Sequence, residues 1–145
     1  MSPVYIMAFL ALGARLLGAV GVTEVGSWLE AARWATGISF VIMGLAHFTP
    51  IRHDVARLVP PSVPRPLLVV AILGVWQLAG GIGILTTPAR RVGAAALLLL
   101  LILKLPANIR IARKSLRLKG RMATSPTWRV PAQLLWMALV WWVGT

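Results

Sequence analysis

The chain has 145 residues, 15 of them Lys or Arg and three Asp or Glu, for a net charge of +12; 59 % are hydrophobic and none is cysteine. A soluble domain carries about 25 % charged residues, against 12 % here, and a chain this small still exposes much of its surface on folding, so a bilayer suits it better than water. The lack of cysteine excludes disulfides, thiolate metal sites and thiol redox chemistry within the chain, and basic residues set between apolar runs point to membrane topology rather than nucleic acid.

Each membrane-spanning helix needs about 20 apolar residues. Five predicted spans account for most of the chain and leave no room for a soluble catalytic domain. The first covers 3–22 and is interrupted by Arg15; it lacks the basic leader of a signal peptide and reads as a retained span. A short polar link with Glu24 and Glu30 leads to the second span, 31–48, where Gly37 and Gly44 share a face and Thr49-Pro50 ends the helix. In the link that follows, Ile51, Val55, Leu58 and Val59 alternate with Arg52, His53, Asp54 and Arg57 as a short amphipathic turn at the interface. Pro60, Pro61, Pro64 and Pro66 then stiffen the chain.

The third span, 67–87, holds Gly74, Gly80, Gly81 and Gly83, with Ala79 and Gly83 as a small-xxx-small pair for close helix approach. A tight turn at 88–91 precedes the fourth span, 92–110, in which Pro106 predicts a kink. A basic link, 111–128, leads to a shorter fifth span, 130–144, rich in tryptophan. The expected fold is all-α: a polytopic membrane bundle forming one integral membrane domain over 1–145. The links 51–66 and 110–129 hold ten basic residues, and the opposite side three (Arg33, Arg90 and Arg91). The positive-inside rule therefore puts the N-terminus in the cytoplasm and the C-terminus outside the cell membrane.

Five polar residues fall within the spans: Arg15, His47, Gln77, Lys104 and Asn108. An ionisable group there is a functional candidate by its cost alone, and no span contains an acid to pair with Arg15 or Lys104. Counted along the helix, Arg15 falls near mid-membrane; backbone carbonyls, a wet pocket, Glu24, Glu30 or an anionic ligand are its open partners. Lys104 is within snorkelling reach of the cytoplasmic end. His47 fits a proton relay or a hydrogen bond to a ligand head group, or else packs against the next loop. Gln77 reads as interhelical glue and Asn108 as a partner for backbone freed at Pro106. His47 and His53 are not spaced for one metal ion, so no metal site is expected. The acid, nucleophile and metal sets of a standalone enzyme are missing.

Several segments taken in series carry a resemblance. They are Gly44-Leu45-Ala46-His47-Phe48, Val59-Pro60-Pro61 with Pro64-Arg65-Pro66, and Gly74-Val75-Trp76-Gln77-Leu78-Ala79-Gly80-Gly81-Ile82-Gly83. The Arg90-Arg91 turn, Pro106-Ala107-Asn108-Ile109 and Arg129-Val130-Pro131-Ala132-Gln133 complete the set. In order and spacing they resemble the DoxX-like family of small bacterial integral membrane proteins over about 30–145. The resemblance implies an N-terminal span plus a four-helix core in the bacterial inner membrane, and an association with redox systems. Relatives often carry glutamate where this chain has Gln77, so a proton-handling role for that acid does not transfer.

Two functions are expected from different classes. The first is a non-catalytic membrane subunit or anchor of a redox system, quinone-linked or tied to oxidative stress, with a redox protein as partner and no covalently held cofactor. In it Arg15, His47, Gln77 and Asn108 contact a quinone in an apolar cleft. The second is a small carrier or a lipid- or anionic-solute-binding protein in which Arg15 and Lys104 face one anionic head group. In either case the basic 110–129 link attracts anionic lipids of the bilayer, by about 1 kcal/mol per basic residue.

Overall fold

The computed structural model describes residues 3–21, 26–114, 117–118, 121–122 and 126–145. The protein is helical. In chain order it runs α1 (Pro3–Ala19), α2 (Trp28–Ala46), α3 (Ile51–Ala56), α4 (Pro66–Leu85), α5 (Arg90–Lys114), a two-residue pair β1 (Arg117–Leu118) and β2 (Arg121–Met122), and α6 (Pro126–Gly144). The strands pair antiparallel, Arg117 opposite Met122 and Leu118 opposite Arg121.

Local chemistry sets the helix ends. Ser27 caps α2: its Oγ accepts from the Glu30 backbone N–H at 3.1 Å and lies 3.4 Å from the Glu30 carboxylate, the Ser-x-x-Glu capping box. Proline at position 66 disfavours right-handed helical backbone at the residue before it; Arg65 instead takes φ 52°, ψ 61°, and the chain turns sharply into α4. Pro106 and Pro131 lie inside α5 and α6 without ending them. The basic link is accordingly shorter than expected, because α5 continues to Lys114 and α6 begins at Pro126.

Four helices close a ring. α2 packs on α4, α4 on α5, α5 on α6, and α6 returns to α2, each antiparallel to its neighbours. α1 packs chiefly on α2, outside the ring, with Phe9, Leu12, Leu16 and Val20 exposed. The α2–α4 seam is built on reciprocal glycines. A Cβ at Gly37 would meet the Gly81 carbonyl oxygen at 2.9 Å, and one at Gly44 would meet that of Gly74 at 3.0 Å. The α4–α5 seam sets Gly83 against Gly93, where an added Cβ would fall 2.9 Å from the Gly93 Cα. Ala79, expected as the partner of Gly83 in that contact, is exposed; Gly80, against Leu97, takes its place. The core inside the ring is Phe40, Ile84, Leu97, Leu100, Trp136, Val140 and Val143, with Phe40 and Trp136 in edge-to-face contact at 5.2 Å.

Of the five expected spans, two helical stretches are long and apolar enough to cross a bilayer, Pro66–Leu85 and Arg90–Ile109, at 20 residues each. That is about 30 Å of helix, the thickness of the hydrocarbon core. The remaining three fall short for visible reasons. α1 is 17 residues long and contains Arg15, α2 carries Glu30 and Arg33 in its first two turns, and the apolar part of α6 is confined to Val130–Gly144.

Candidate functional site

Spacings of three and four residues place one stripe of each ring helix toward the interior. On α2 the stripe is Thr36, Phe40, Met43 and His47; on α4 it is Val70, Gly74, Gln77, Gly81 and Ile84. On α5 it is Leu97, Leu101, Lys104 and Asn108, and on α6 Gln133, Trp136, Val140 and Val143. The α5 and α6 stripes are apolar toward the α4–α5 turn, where α2 carries the buried Thr36. His47, Lys104, Asn108 and Gln133 stand toward the opposite end, and Gln77 lies near the middle of α4.

In this polar half His47 is buried, and its Nδ1 stands 2.7 Å from the Met43 carbonyl oxygen. A carbonyl oxygen only accepts, so Nδ1 carries the hydrogen and the Nε2 of the neutral ring presents its lone pair. Lys104, half-buried on α5, is close enough for its charge to act on His47, and it pairs with no carboxylate among the described residues. Asn108 donates through Nδ2 to the Gln133 side-chain oxygen, and the Gln133 Nε2 donates to the Leu101 carbonyl at 2.7 Å. Gln77 is 3 % exposed, and its Oε1 has no hydrogen-bond partner among the described residues; the buried hydroxyls of Thr36 and Ser39 share that condition.

Three of the five residues singled out from sequence, His47, Lys104 and Asn108, are thus in one half of the ring, and Gln77 lies near its middle. Arg15 is in neither place. It stands in the last turns of α1, donates to the Gly26 carbonyl, and lies 5.0 Å from the ring of Trp28. Of the partners left open for it, a backbone carbonyl is the one found: the helix stops at Ala19, so the side chain reaches the α1–α2 turn, where that carbonyl and an aromatic face receive it. No Arg15–Glu30 ion pair forms among the described residues, and Glu24 lies outside them. Trp28 and His47 stand at opposite ends of α2, about 28 Å apart at 1.5 Å per residue, so Arg15 and Lys104 do not share one head group.

Asn108 is joined by a residue of α6. The carbonyl satisfied near Pro106 is that of Leu101, and the donor is Gln133 of α6, with Asn108 holding the far end of that amide. Gln133 was not singled out from sequence. The signal for it was its spacing of three, seven and ten residues from Trp136, Val140 and Val143. Among the described residues no three of His, Cys, Asp and Glu gather as metal ligands; His53 stands on α3 beside Arg52.

A second concentration of charge lies at the other end of the ring. Arg33, Arg90, Glu30 and Thr87 line a cavity of about 190 Å³ with Trp34, Ile84 and Leu85.

The model of one family matches residues 36–144, a stretch running from the third turn of α2 to the end of α6. The chain belongs to that family, described as Domain of unknown function (DUF8561). The DUF8561 segment contains the ring except the first two turns of α2, and all of its polar end, whereas α1 and Arg15 precede it. No curated protein and no solved structure matches the chain.

Proposed function

We propose that this protein is a multi-pass membrane subunit, without catalytic chemistry of its own, that holds a quinone-type ligand in the polar half of its ring for a redox partner. In this reading α1, α2, α4, α5 and α6 all span the cell membrane, with the N-terminus cytoplasmic and the C-terminus outside. The DoxX-like resemblance supplies the redox association. Support for the membrane comes from an apolar outer surface: Leu68, Ile72, Val75 and Ile82 of α4 and Leu99, Ile102 and Leu103 of α5 all face outward. A contiguous apolar exterior of this kind is uncommon on a water-soluble monomer.

The observation that carries the ligand reading is the unpaired, buried Gln77 Oε1 near the middle of the ring interior, on the stripe that faces the one bearing His47. An orphaned acceptor in an apolar interior costs about 1–3 kcal/mol, and a ligand hydroxyl relieves that cost. The donor set suits a quinone in both of its forms. Lys104 Nζ donates to a carbonyl oxygen, while His47 Nε2 and Gln77 Oε1 accept from the hydroxyls of the reduced form. When bound, a quinone supplies two-electron, two-proton exchange; this chain orients it and excludes water.

The test is to purify the protein in mild detergent with its native lipid and extract and quantify quinone. About one quinone per chain is expected, falling at least tenfold in His47→Ala and Gln77→Leu. A wild-type protein that carries no quinone and copurifies with no oxidoreductase overturns the reading.

A further inference from the structure

The cavity at the opposite end of the ring is assembled from three elements that are distant in sequence. α2 contributes Glu30, Arg33 and Trp34 from its first two turns, α4 contributes Ile84 and Leu85 from its last, and Thr87 and Arg90 come from the turn into α5. The two arginines are held in place by their Nε atoms. Arg33 Nε donates to the Val143 carbonyl at 3.0 Å, and Arg90 Nε reaches the Ile84 carbonyl at a longer 3.5 Å. Both carbonyls sit in the last turns of helices, whose unpaired backbone oxygens attract cations.

Fixing Nε leaves the forked Nη pair of each guanidinium for something else. Among the described residues neither arginine forms an ion pair with a carboxylate. Glu30 is near enough to attract Arg33 electrostatically, as Arg90 is to repel it, but its carboxylate is engaged in the capping box with Ser27. The cavity therefore contains two guanidiniums and one carboxylate, one positive charge in excess, beside an apolar wall.

We propose that this cavity binds a monoanionic phosphate ester, its phosphoryl oxygens held by the Nη groups of Arg33 and Arg90. Arginine is the side chain suited to this task, because its planar fork matches two oxygens of one phosphate. The single excess charge fits a monoanion better than a dianion. Trp34, Ile84 and Leu85 give the ester's carbon substituent an apolar neighbour. The site is at the far end of the ring from His47 and Lys104, so it stands or falls independently of the quinone reading.

The experiment uses the full chain in neutral detergent, titrated with phosphatidylglycerol, phosphatidylcholine, glycerophosphoglycerol and inorganic phosphate, and read by native mass spectrometry and tryptophan fluorescence. Phosphatidylglycerol is expected to bind, and Arg33→Gln and Arg90→Gln each weaken it by about tenfold. Binding of glycerophosphoglycerol, a free monoanionic diester, with the same sensitivity assigns the site to a free ester instead of a lipid, and equally supports the proposal. Glu30→Gln keeps a residue suited to the capping box while raising the excess charge; it tightens binding by about threefold, a gain that damage to the fold does not produce. Anion binding that is unchanged in all three variants, or no preference for the esters over phosphatidylcholine and inorganic phosphate, overturns the proposal.

Discussion

Gln133 and Gln77 are the same side chain in opposite circumstances. Gln133 spends both ends of its amide, accepting from Asn108 and donating to Leu101, and so ties α6 to α5 beside Pro106. Gln77 is equally buried, yet its oxygen has no partner among the described residues. The two therefore respond oppositely to the same substitution. Gln133→Leu is expected to destabilise the protein by about 1–2 kcal/mol, the upper range for interhelical hydrogen bonds in membranes, because the Leu101 carbonyl loses its donor. Gln77→Leu in ligand-free protein is expected to be neutral or stabilising, since it removes a buried acceptor that nothing satisfies. Thermal unfolding of both variants in detergent checks this; equal losses would mean that the Gln77 oxygen is bonded after all. Which polar residues face inward was legible in the sequence for His47, Gln77, Lys104 and Asn108. The partner of Arg15 stayed open among several because the apolar run continues to Val22 while the helix ends at Ala19, and a flexible side chain takes whatever partner the turn supplies.

Among the elements, α4 is the hub, and its two glycine-bearing faces differ from the glycines of α1 in what surrounds them. At Gly81 an added Cβ would meet the Gly37 carbonyl oxygen at 2.9 Å and Phe40 and Val41 side-chain atoms at 3.1 Å. Backbone cannot step aside as a side chain can, so Gly81→Ala is expected to cost about 2–3 kcal/mol, in the range for overpacked cores. Gly13 has nothing within 4 Å of an added Cβ. Gly13→Ala is expected to stabilise α1 by up to about 1 kcal/mol through helix propensity. Unfolding temperatures of the pair, measured in one detergent, should move in opposite directions. The apolar runs located all five long helices to within a few residues, and Gly37 and Gly44 announced a close seam by sharing a face. The opposing glycines were not assignable, because a sequence gives the face of a helix and not its neighbour. For that reason Ala79 was mistaken for a seam residue where Gly80 serves.

At the scale of the molecule, the antiparallel ring gathers charge at its ends. The end with α3 and the chain between α5 and α6 receives most of the basic residues, and the α4–α5 turn receives Arg90 and Arg91. The proposed orientation is directly readable because the chain has no cysteine to give background. An impermeant thiol reagent on intact cells should label Thr87→Cys and leave Ser62→Cys unlabelled until the membrane is opened; the reverse pattern inverts the topology. The cavity of Arg33 and Arg90 was beyond sequence reasoning, since it needs the register of α2 against the α4–α5 turn, and those arginines had served only as counts on one side of a membrane. The same register divides the ring into unequal walls. From α2 through α4 to α5, backbone lies against backbone at glycine, and parting those seams would strip carbonyls of their close neighbours. α6 joins α5 in the same close way, Gly144 against Ala94, but meets α2 through long side chains, Trp136 against Phe40 and Arg33 against its last turn. Those contacts can re-form one at a time, so the ring has three tight seams and one looser one, between α6 and α2.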